Sequence, residues 1–383
     1  MTETARFFLT FSGYAIALAA MGYGVISWFA VPRKPVITRS TTSQPPVTML
    51  KPLCGAEPET YDYLRTFCLQ AYPTFQVIFG VSDATDPAIG IVHRLQREFP
   101  ASDLKLVIDR RQHGSNRKVS NLMNMMPLAR HDVIVISDAD VRVESDYLVR
   151  VVAPLSQPDV GIVTAGYSGN SRVNPWSKLG SLFINEWFMP SVYVAAAFGS
   201  RSFAFGTTIA IRRPVLNAIG GFGAIANQLA DDYRLGEMTR QLGLRTVLSD
   251  VVVETCVVER SFADLVSHEL RWLRTIRALR PLSYCFCFIT FGVPTAAIGA
   301  LLAGGHLPVM VMLAVTVIAR FLLHAKVGKS RWGVGELLAI PIRDLLSLGL
   351  WAWSFVTRRV QWRDDQYSVS SDGSARLVVE DMT

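Results

Sequence analysis

Two carboxylates stand two positions apart, Asp138 and Asp140, directly after the run Val133-Ile134-Val135-Ile136. Four β-branched residues in a row read as a buried strand, so the carboxylates emerge at its open end. Hard divalent cations such as Mg2+ or Mn2+ prefer oxygen ligands and commonly share them with substrate phosphates. An Asp-x-Asp at a strand end supplies two such ligands and leaves coordination positions for a diphosphate. The same tripeptide also suits a strand-to-turn junction, where aspartate forms Asx turns, so its meaning rests on its surroundings.

Those surroundings hold three further groups. Gly114-Ser115-Asn116-Arg117-Lys118-Val119-Ser120-Asn121 is a polar, basic turn ahead of that strand, where small residues admit close backbone approach and Lys118 or Arg117 can neutralise a phosphate; a solvated loop needs no more than this composition. In Leu229-Ala230-Asp231-Asp232-Tyr233, adjacent carboxylates meet a helix start. One of them suits a general base on a hydroxyl, and helix capping is the plainer role. His268-Glu269-Leu270-Arg271-Trp272 precedes a hydrophobic block, so an amphipathic interfacial helix explains its Arg and Trp without catalysis.

The elements that must position these groups alternate. Strand-like runs at 47–50, 75–81, 105–108 and 133–137 are separated by helical patterns at 61–70, 88–98 and 119–129. Alternation of this kind implies a parallel sheet with helices on both faces, and ligands bind such sheets at the carboxyl ends of the strands. A second strand end, Val81-Ser82-Asp83, is also acidic.

On either side of this region the chain is apolar. Residues 7–31 form an uncharged run long enough to cross a hydrocarbon core of about 30 Å as a helix. With acidic Glu3 before it and Trp28-Phe29 at its end, it reads as an anchor and not as a cleaved signal. Arg33, Lys34 and Arg39 follow, which by the positive-inside rule puts the next residues in the cytoplasm. Two further spans, 281–303 and 307–323, form a hairpin with basic flanks at both ends: Arg271, Arg274, Arg277 and Arg280 before it, Lys326, Lys329 and Arg331 after it. A third candidate, 334–356, carries Arg343 and Asp344 in its middle, which suits either a helix facing other helices or an interfacial segment. Arg358, Arg359 and Arg363 pull the C-terminus inside while the count of spans puts it outside. The apolar stretch 176–198, with Asn185 and Glu186, reads as an in-plane or acceptor-facing helix.

Composition narrows the partners. A formal net charge of +7 over 383 residues, with a mean hydropathy of +0.29, suits anionic head groups or an anionic nucleotide. No long Lys/Arg block or nucleic-acid motif is present, which sets nucleic acid aside. Five cysteines, none in a CxxC spacing, point to reduced thiols and away from a disulfide scaffold or structural zinc.

In order, these motifs resemble the ceramide glucosyltransferase family, inverting transferases with a GT-A nucleotide-sugar fold. Lys51-Pro52-Leu53 and Val81-Ser82-Asp83-Ala84-Thr85-Asp86-Pro87-Ala88-Ile89 are similar to its opening motifs, with Asp83 in place of its first aspartate. Asn116, Lys118, Asn121 and Leu122 match its Asn-x-Lys-x-x-Asn-Leu turn, Asp138 its second aspartate, and Asp232 its third. Arg271 and Trp272 complete a Gln/Arg-x-x-Arg-Trp signature in which His268 replaces the first residue. Asp140 restores a full Asp-x-Asp where the animal enzymes carry Gly, which resembles a bacterial branch. Leu50-Lys51-Pro52-Leu53-Cys54-Gly55-Ala56-Glu57-Pro58 and His113-Gly114-Ser115-Asn116-Arg117-Lys118 are most similar to the hopanoid-biosynthesis glycosyltransferases.

The resemblance implies a UDP-sugar donor with Mg2+ or Mn2+ on Asp138 and Asp140, and Asp83 on the nucleotide side. It implies donor contacts from Asn116, Lys118, Asn121, Asp138, Gly206 and His268, with Gly206 and Thr207 also forming an acceptor-side floor. Asp232 is the expected base, Asp231 the second choice, and Arg271 and Trp272 close on the diphosphate. The acceptor is a membrane lipid alcohol: N-acetylglucosamine goes to a hopanoid polyol, or glucose to ceramide. The expected layout is an anchor (1–32), a cytoplasmic GT-A domain of mixed, mainly parallel sheet (33–280), C-terminal membrane helices (281–360) and a polar tail (361–383), at a bacterial inner membrane. A processive polysaccharide synthase shares the aspartates and Arg-Trp but usually needs more membrane helices; a non-catalytic scaffold has no use for the full acidic set.

Overall fold

The computed structural model describes residues 2–32, 44–171, 174–327 and 334–356, and three short strands between 359 and 377. Arg33, Lys34, Arg39, Lys329, Arg331, Arg358 and Arg363 lie outside the described residues, as do residues 378–383. The chain opens with helix α1 (Glu3–Ala30) and runs through β1 (Val47–Pro52), α2 (Thr60–Cys68), β2 (Phe75–Val81), α3 (Ala88–Glu98), β3 (Asp103–Ile108), α4 (Arg117–Met125) and β4 (Val133–Ile136). After these come β5 (Val141–Arg142), α5 (Tyr147–Val152), β6 (Val160–Asn170), α6 (Pro175–Phe183), α7 (Met189–Ala197), β7 (Ile209–Arg212), α8 (Arg213–Ala218), α9 (Asp231–Gln241) and β8 (Arg245–Cys256). The remainder is α10 (Phe262–Leu279), α11 (Pro281–Cys285), α12 (Gly292–Leu302), α13 (Leu307–Val327), α14 (Val334–Trp353), β9 (Arg359–Trp362), β10 (Asp365–Val369) and β11 (Ala375–Leu377).

Eight strands form one sheet in the order β3-β2-β1-β4-β7-β6-β8-β5. The first four are parallel, β7 is antiparallel to both neighbours, β8 runs parallel to β6, and β5 closes the edge antiparallel to β8. Strand side chains alternate between faces, and the two faces carry separate cores. Val47, Met49, Val77, Phe79, Val133 and Val135 pack with α2, α3 and α5 through Phe67, Val92 and Val151. Leu50, Ile78, Ile134 and Ile136 pack with α4 and α8 through Val119, Leu122 and Leu216. The four-residue β-branched run is therefore buried on both sides, as a central strand must be.

The helix expected over 119–129 starts earlier because the Asn116 side chain accepts from the Val119 amide at 3.0 Å, and it narrows to a 3-10 turn at Met126–Leu128 around Pro127. The helix expected over 176–198 runs without a break from Pro175 to Ala197, α6 and α7 being continuous through a π-helical turn, Ile184–Phe188.

Among the described residues two helices, Glu3–Ala30 and Leu307–Val327, are long and apolar enough to cross a membrane. The block expected as a span over 281–303 meets the same length and composition test only as a pair of arms, Pro281–Thr290 and Gly292–Leu302, bent by 82° at Phe291. Pro294 explains the break: it has no amide to donate back to the previous turn and disfavours helix before it, while Thr295 Oγ1 takes up the Phe288 carbonyl at 2.6 Å. α1 and α12 meet through small residues; a Cβ on Gly13 would lie 2.5 Å from the Gly299 carbonyl oxygen, the close approach that membrane helices use in place of a hydrophobic drive. Gly304 and Gly305, at φ of 78° and 68°, turn the chain from α12 into α13, a backbone conformation glycine adopts without strain.

Arg343 and Asp344 do not pair with one another. Arg343 Nη1 reaches Glu269 of α10 at 2.8 Å, and Arg320 of α13 holds Asp344 at 2.9 Å. α14 is thus tied sideways to α10 and α13 and is not among the helices apolar enough to span. Towards the C-terminus β9, β10 and β11 form an antiparallel sheet, with β9 beside α10.

Candidate functional site

At the end of β4 the Ser137 amide still bonds the Leu50 carbonyl of β1, at 3.2 Å. The chain then leaves the sheet for Asp138-Ala139-Asp140 and rejoins it at the far edge, where Val141 of β5 pairs with Thr255 of β8. The acidic turn is held at both ends. Thr255 Oγ1 donates to Asp140 Oδ2 at 2.7 Å, and the Cys256 amide donates to the Asp140 carbonyl at 3.0 Å.

Lys118, in the first turn of α4, reaches this turn from the opposite side. Its Nζ lies 2.7 Å from Asp138 Oδ1 and 3.3 Å from Asp231 Oδ2. Burial alone lowers the pKa of Lys118, and the charges of Asp138, Asp231 and Asp232 more than reverse it, so the group stays cationic. Asn116 joins the cluster: its Nδ2 donates to the Gln228 carbonyl at 2.8 Å and lies 3.5 Å from Asp231 Oδ1.

Asp232 opens α9 beside Asp231 but faces elsewhere. Its Oδ2 accepts from the Gly206 amide at 2.9 Å and its Oδ1 from the Tyr233 amide at 2.7 Å. Burial, and after it the Asp231 charge, raise its pKa to about 6 against the pull of Lys118. Gly206 has no room for a side chain, since a Cβ would stand 2.8 Å from Lys118 Nζ and 2.9 Å from Asp138 Oδ2. Four separate segments, at residues 118, 138–140, 206 and 231–232, therefore meet at one point above the sheet. Arg271 belongs to the same neighbourhood. Burial lowers its pKa, and the charges of Glu259, Asp138 and Asp232 act against that.

Other sequence-predicted residues lie apart from this cluster or act through neighbours. Asp83 is exposed at the end of β2, where Thr85 donates to its Oδ1 twice at 2.8 Å and Arg110 lies 3.7 Å away; these bonds hold its pKa below the usual carboxylate value. Asn121 donates to the Gly80 carbonyl at 2.7 Å and packs under β2. His268 Nδ1 meets Glu259 Oε1 at 2.5 Å, and its ring stands edge-on to Trp272 at 5.2 Å. Trp272 also packs on Phe188 at 5.5 Å, and Phe188 on Phe205 at 5.6 Å, next to Gly206. The aromatic series continues from Phe188 to Trp187 and on to Phe291, stacked at 5.3 Å in the bent apolar block.

Asp138 and Asp140 offer hard oxygen donors of the kind a divalent cation takes together with phosphate and water. Among the described residues no set of three or more His, Cys, Asp or Glu converges as a self-sufficient metal site. That donor set fits an ion that is completed by a diphosphate and does not fit a closed structural site.

Residues 12–375 match the family described as Glycosyl transferase family 21. The chain belongs to this family. It is 23% identical over 298 residues to ceramide glucosyltransferase 3 of Caenorhabditis elegans, covering 73% of this chain and 61% of that protein. It is 32% identical over 152 residues to a ceramide glucosyltransferase of Komagataella phaffii, covering 38% of this chain and 29% of that one. The chain thus spans 61% or less of the length of these curated relatives. In fold it is similar to a mannosyltransferase from Pyrobaculum calidifontis solved with GDP-Man and Mn2+, with a TM-score of 0.51 and 22% identity over 93% of this chain and 95% of that one. The family 21 chain has the GT-A-like mixed sheet with flanking helices, and apolar helices near its N-terminus and in its C-terminal region.

Three residues of this family 21 site escaped sequence reasoning. Thr255 and Glu259 approach from the β8 end, more than a hundred positions from Asp140 in the first case, and nothing local in the sequence marks them. Tyr167 of β6 lies close enough for the charges of Asp232, Asp138 and Asp140 to add to burial in raising its phenol pKa. Its one signal is a phenol in a strand otherwise made of small and aliphatic residues.

Proposed function

We propose that this protein is an inverting glycosyltransferase that moves a sugar from a UDP-sugar onto the hydroxyl of a membrane lipid, with residues 33–280 working at the cytoplasmic face of a bacterial inner membrane. The observation that carries this reading is the meeting of Lys118, Asp138, Asp231, Asp232 and the Gly206 amide at one point, joined by aromatic packing from Phe205 through Phe188 and Trp187 to the apolar residue Phe291. The names of the curated relatives, both ceramide glucosyltransferases, favour a lipid acceptor.

Asp138 and Asp140 would hold Mg2+ or Mn2+, whose charge offsets the negative charge growing on the leaving diphosphate. Lys118 adds a fixed cation at the same place, and Arg271 approaches it from α10. Asn116 orients Lys118 indirectly through Asp231, and Asn121 holds the end of β2 that carries Asp83 towards the nucleotide. Asp232, with one oxygen anchored on the Gly206 amide, takes the proton from the acceptor hydroxyl as it attacks the sugar carbon from the face opposite the leaving group, which gives a β-linked product. Its raised pKa brings it nearer to the strength such a base needs. His268 acts by fixing Trp272 and Glu259 at the mouth of the site.

Within this class we propose N-acetylglucosamine as the sugar and a hopanoid polyol as the acceptor, on the motif resemblance at 50–58 and 113–118; glucose and ceramide are the alternative. Detergent-purified protein is incubated with a panel of UDP-sugars and either a hopanoid polyol or ceramide, and lipid extracts are read by mass spectrometry. A metal-dependent glycolipid that disappears with Asp140→Ala and Asp232→Asn is the expected result. Transfer at the wild-type rate by both variants overturns the mechanism.

A further inference from the structure

Lys51 occupies a place where its chemistry is out of keeping with its neighbours. On β1 the residues at 47, 49 and 53 face the larger core as Val, Met and Leu, and Lys51 shares their face of the strand by alternation. It is fully buried and, among the described residues, is one of the largest side chains to be so. An amine in such a position is costly unless its hydrogens are taken. They are: Nζ donates to the Asp138 backbone carbonyl and lies 3.3 Å from Ser137 Oγ, while its remaining side stands 3.7 Å above the Phe67 ring. Both hydrogen bonds need only two N–H groups, which amine and ammonium supply alike. Both polar contacts are with the acidic turn and the residue that leads into it.

We propose that Lys51 is a positioning residue for the metal-binding turn: by tying the Asp138 carbonyl to the buried end of β1, it sets the direction in which the Asp138 and Asp140 carboxylates leave the sheet. β1 and β4 are parallel neighbours with Leu50 opposite Ile136, so Lys51 rises beside Ser137 and reaches forward under the turn. Thr255 bonds the Asp140 end, and Lys51 bonds the Asp138 end. Neither touches the reacting atoms. Groups that orient a metal ligand typically change metal affinity by about 10- to 100-fold when removed.

The inference rests on the proposed metal role of Asp138 and Asp140, and the experiment separates the two. Full-length detergent-purified protein is titrated with Mn2+ in the presence of UDP, with unbound Mn2+ followed by electron paramagnetic resonance; thermal unfolding is recorded in parallel. For Lys51→Met, which replaces a buried amine with an apolar chain of similar length, the expected result is a Mn2+ dissociation constant raised about tenfold or more, with an unfolding temperature no lower than that of the wild type. A purely structural lysine moves the unfolding temperature and leaves Mn2+ binding unchanged, and that result overturns the proposal. Should Lys51→Met not fold, Ser137→Ala removes one partner of the same amine and is expected to weaken Mn2+ binding about threefold; unchanged binding there overturns it equally. Asp140→Ala is the control. If the wild type itself shows no UDP-dependent Mn2+ binding, the metal reading fails and this inference with it.

Discussion

Asp232 and Asp231 are adjacent in sequence yet differ in what surrounds them, and that difference divides their work. Asp231 is engaged by Lys118 and faces Asn116, whereas Asp232 accepts only backbone amides and keeps a pKa near 6. A base must be ionised to act, and the folded pKa lies above the ordinary carboxylate value, so activity is present above about 6 and is lost as pH falls through it. The pH profile of kcat/KM should therefore show an acid limb near that value. Asp231→Asn removes the neighbouring charge that helps to raise it and should move the limb to lower pH. Asp232→Asn should remove the limb and lower kcat by about 10²- to 10⁴-fold, with Mn2+ and UDP binding preserved. Gly206→Ala offers a complementary result: its methyl would crowd Lys118 and Asp138, so donor KM should rise several-fold while far-ultraviolet circular dichroism stays unchanged.

Elements join the acidic site to the apolar helices through a buried set of charges. Glu186, on the π-helical turn between α6 and α7, meets Arg320 at 2.6 Å and His324 at 2.5 Å; Arg320 also grips Asp344 of α14. All four are nearly excluded from solvent. Removing one member leaves the others buried without their counter-charge, which typically costs about 3–5 kcal/mol. Arg320→Met should therefore lower the unfolding temperature in detergent markedly. An unchanged temperature would show that α13 and α14 are held by apolar packing instead. Glu186 was legible as a polar residue out of place in an apolar stretch; its partners, over a hundred positions away, were not. The same contrast runs through the site. Asp138 and Asp140 follow a β-branched run whose burial on both faces announces a strand, and Ala88–Glu98 is amphipathic enough to be read to the residue. Lys51 is legible as part of a motif but its place beside the Asp138 carbonyl is not, and the 82° bend hides in a hydrophobic block whose composition reports burial but not direction. Period and composition record what one segment needs, whereas the clustering of residues 118, 138, 206 and 232 is a property of strand order.

At the scale of the whole molecule, α1 and α13 run in the same direction. Ala17, midway along α1, and Val309, at the start of α13, share a small cluster with Ala300 and Ala303 of α12. At their ends, Lys326 Nζ stands 5.1 Å over the Trp28 ring, a basic and aromatic pairing typical of an interface. The turn at 304–306 is thus a full helix length from that end, about 30 Å for a helix the size of α13. The sheet follows the Trp28 end of α1, so under the proposed placement, in which both helices cross a membrane, the sheet and the 304–306 turn are expected on opposite sides of it. Native cysteines make this testable. Cys54, just past β1, and Cys285, on the arm before the bend, are exposed, and both are expected on the side of the sheet. A membrane-impermeant maleimide applied to intact spheroplasts should leave the wild type unlabelled and should label His306→Cys, whose native residue is exposed on the turn. After permeabilisation the wild type should label as well, through Cys54. Labelling of the wild type before permeabilisation would reverse the orientation, place the acidic site away from cytoplasmic nucleotide sugars, and remove the basis for a UDP-sugar donor.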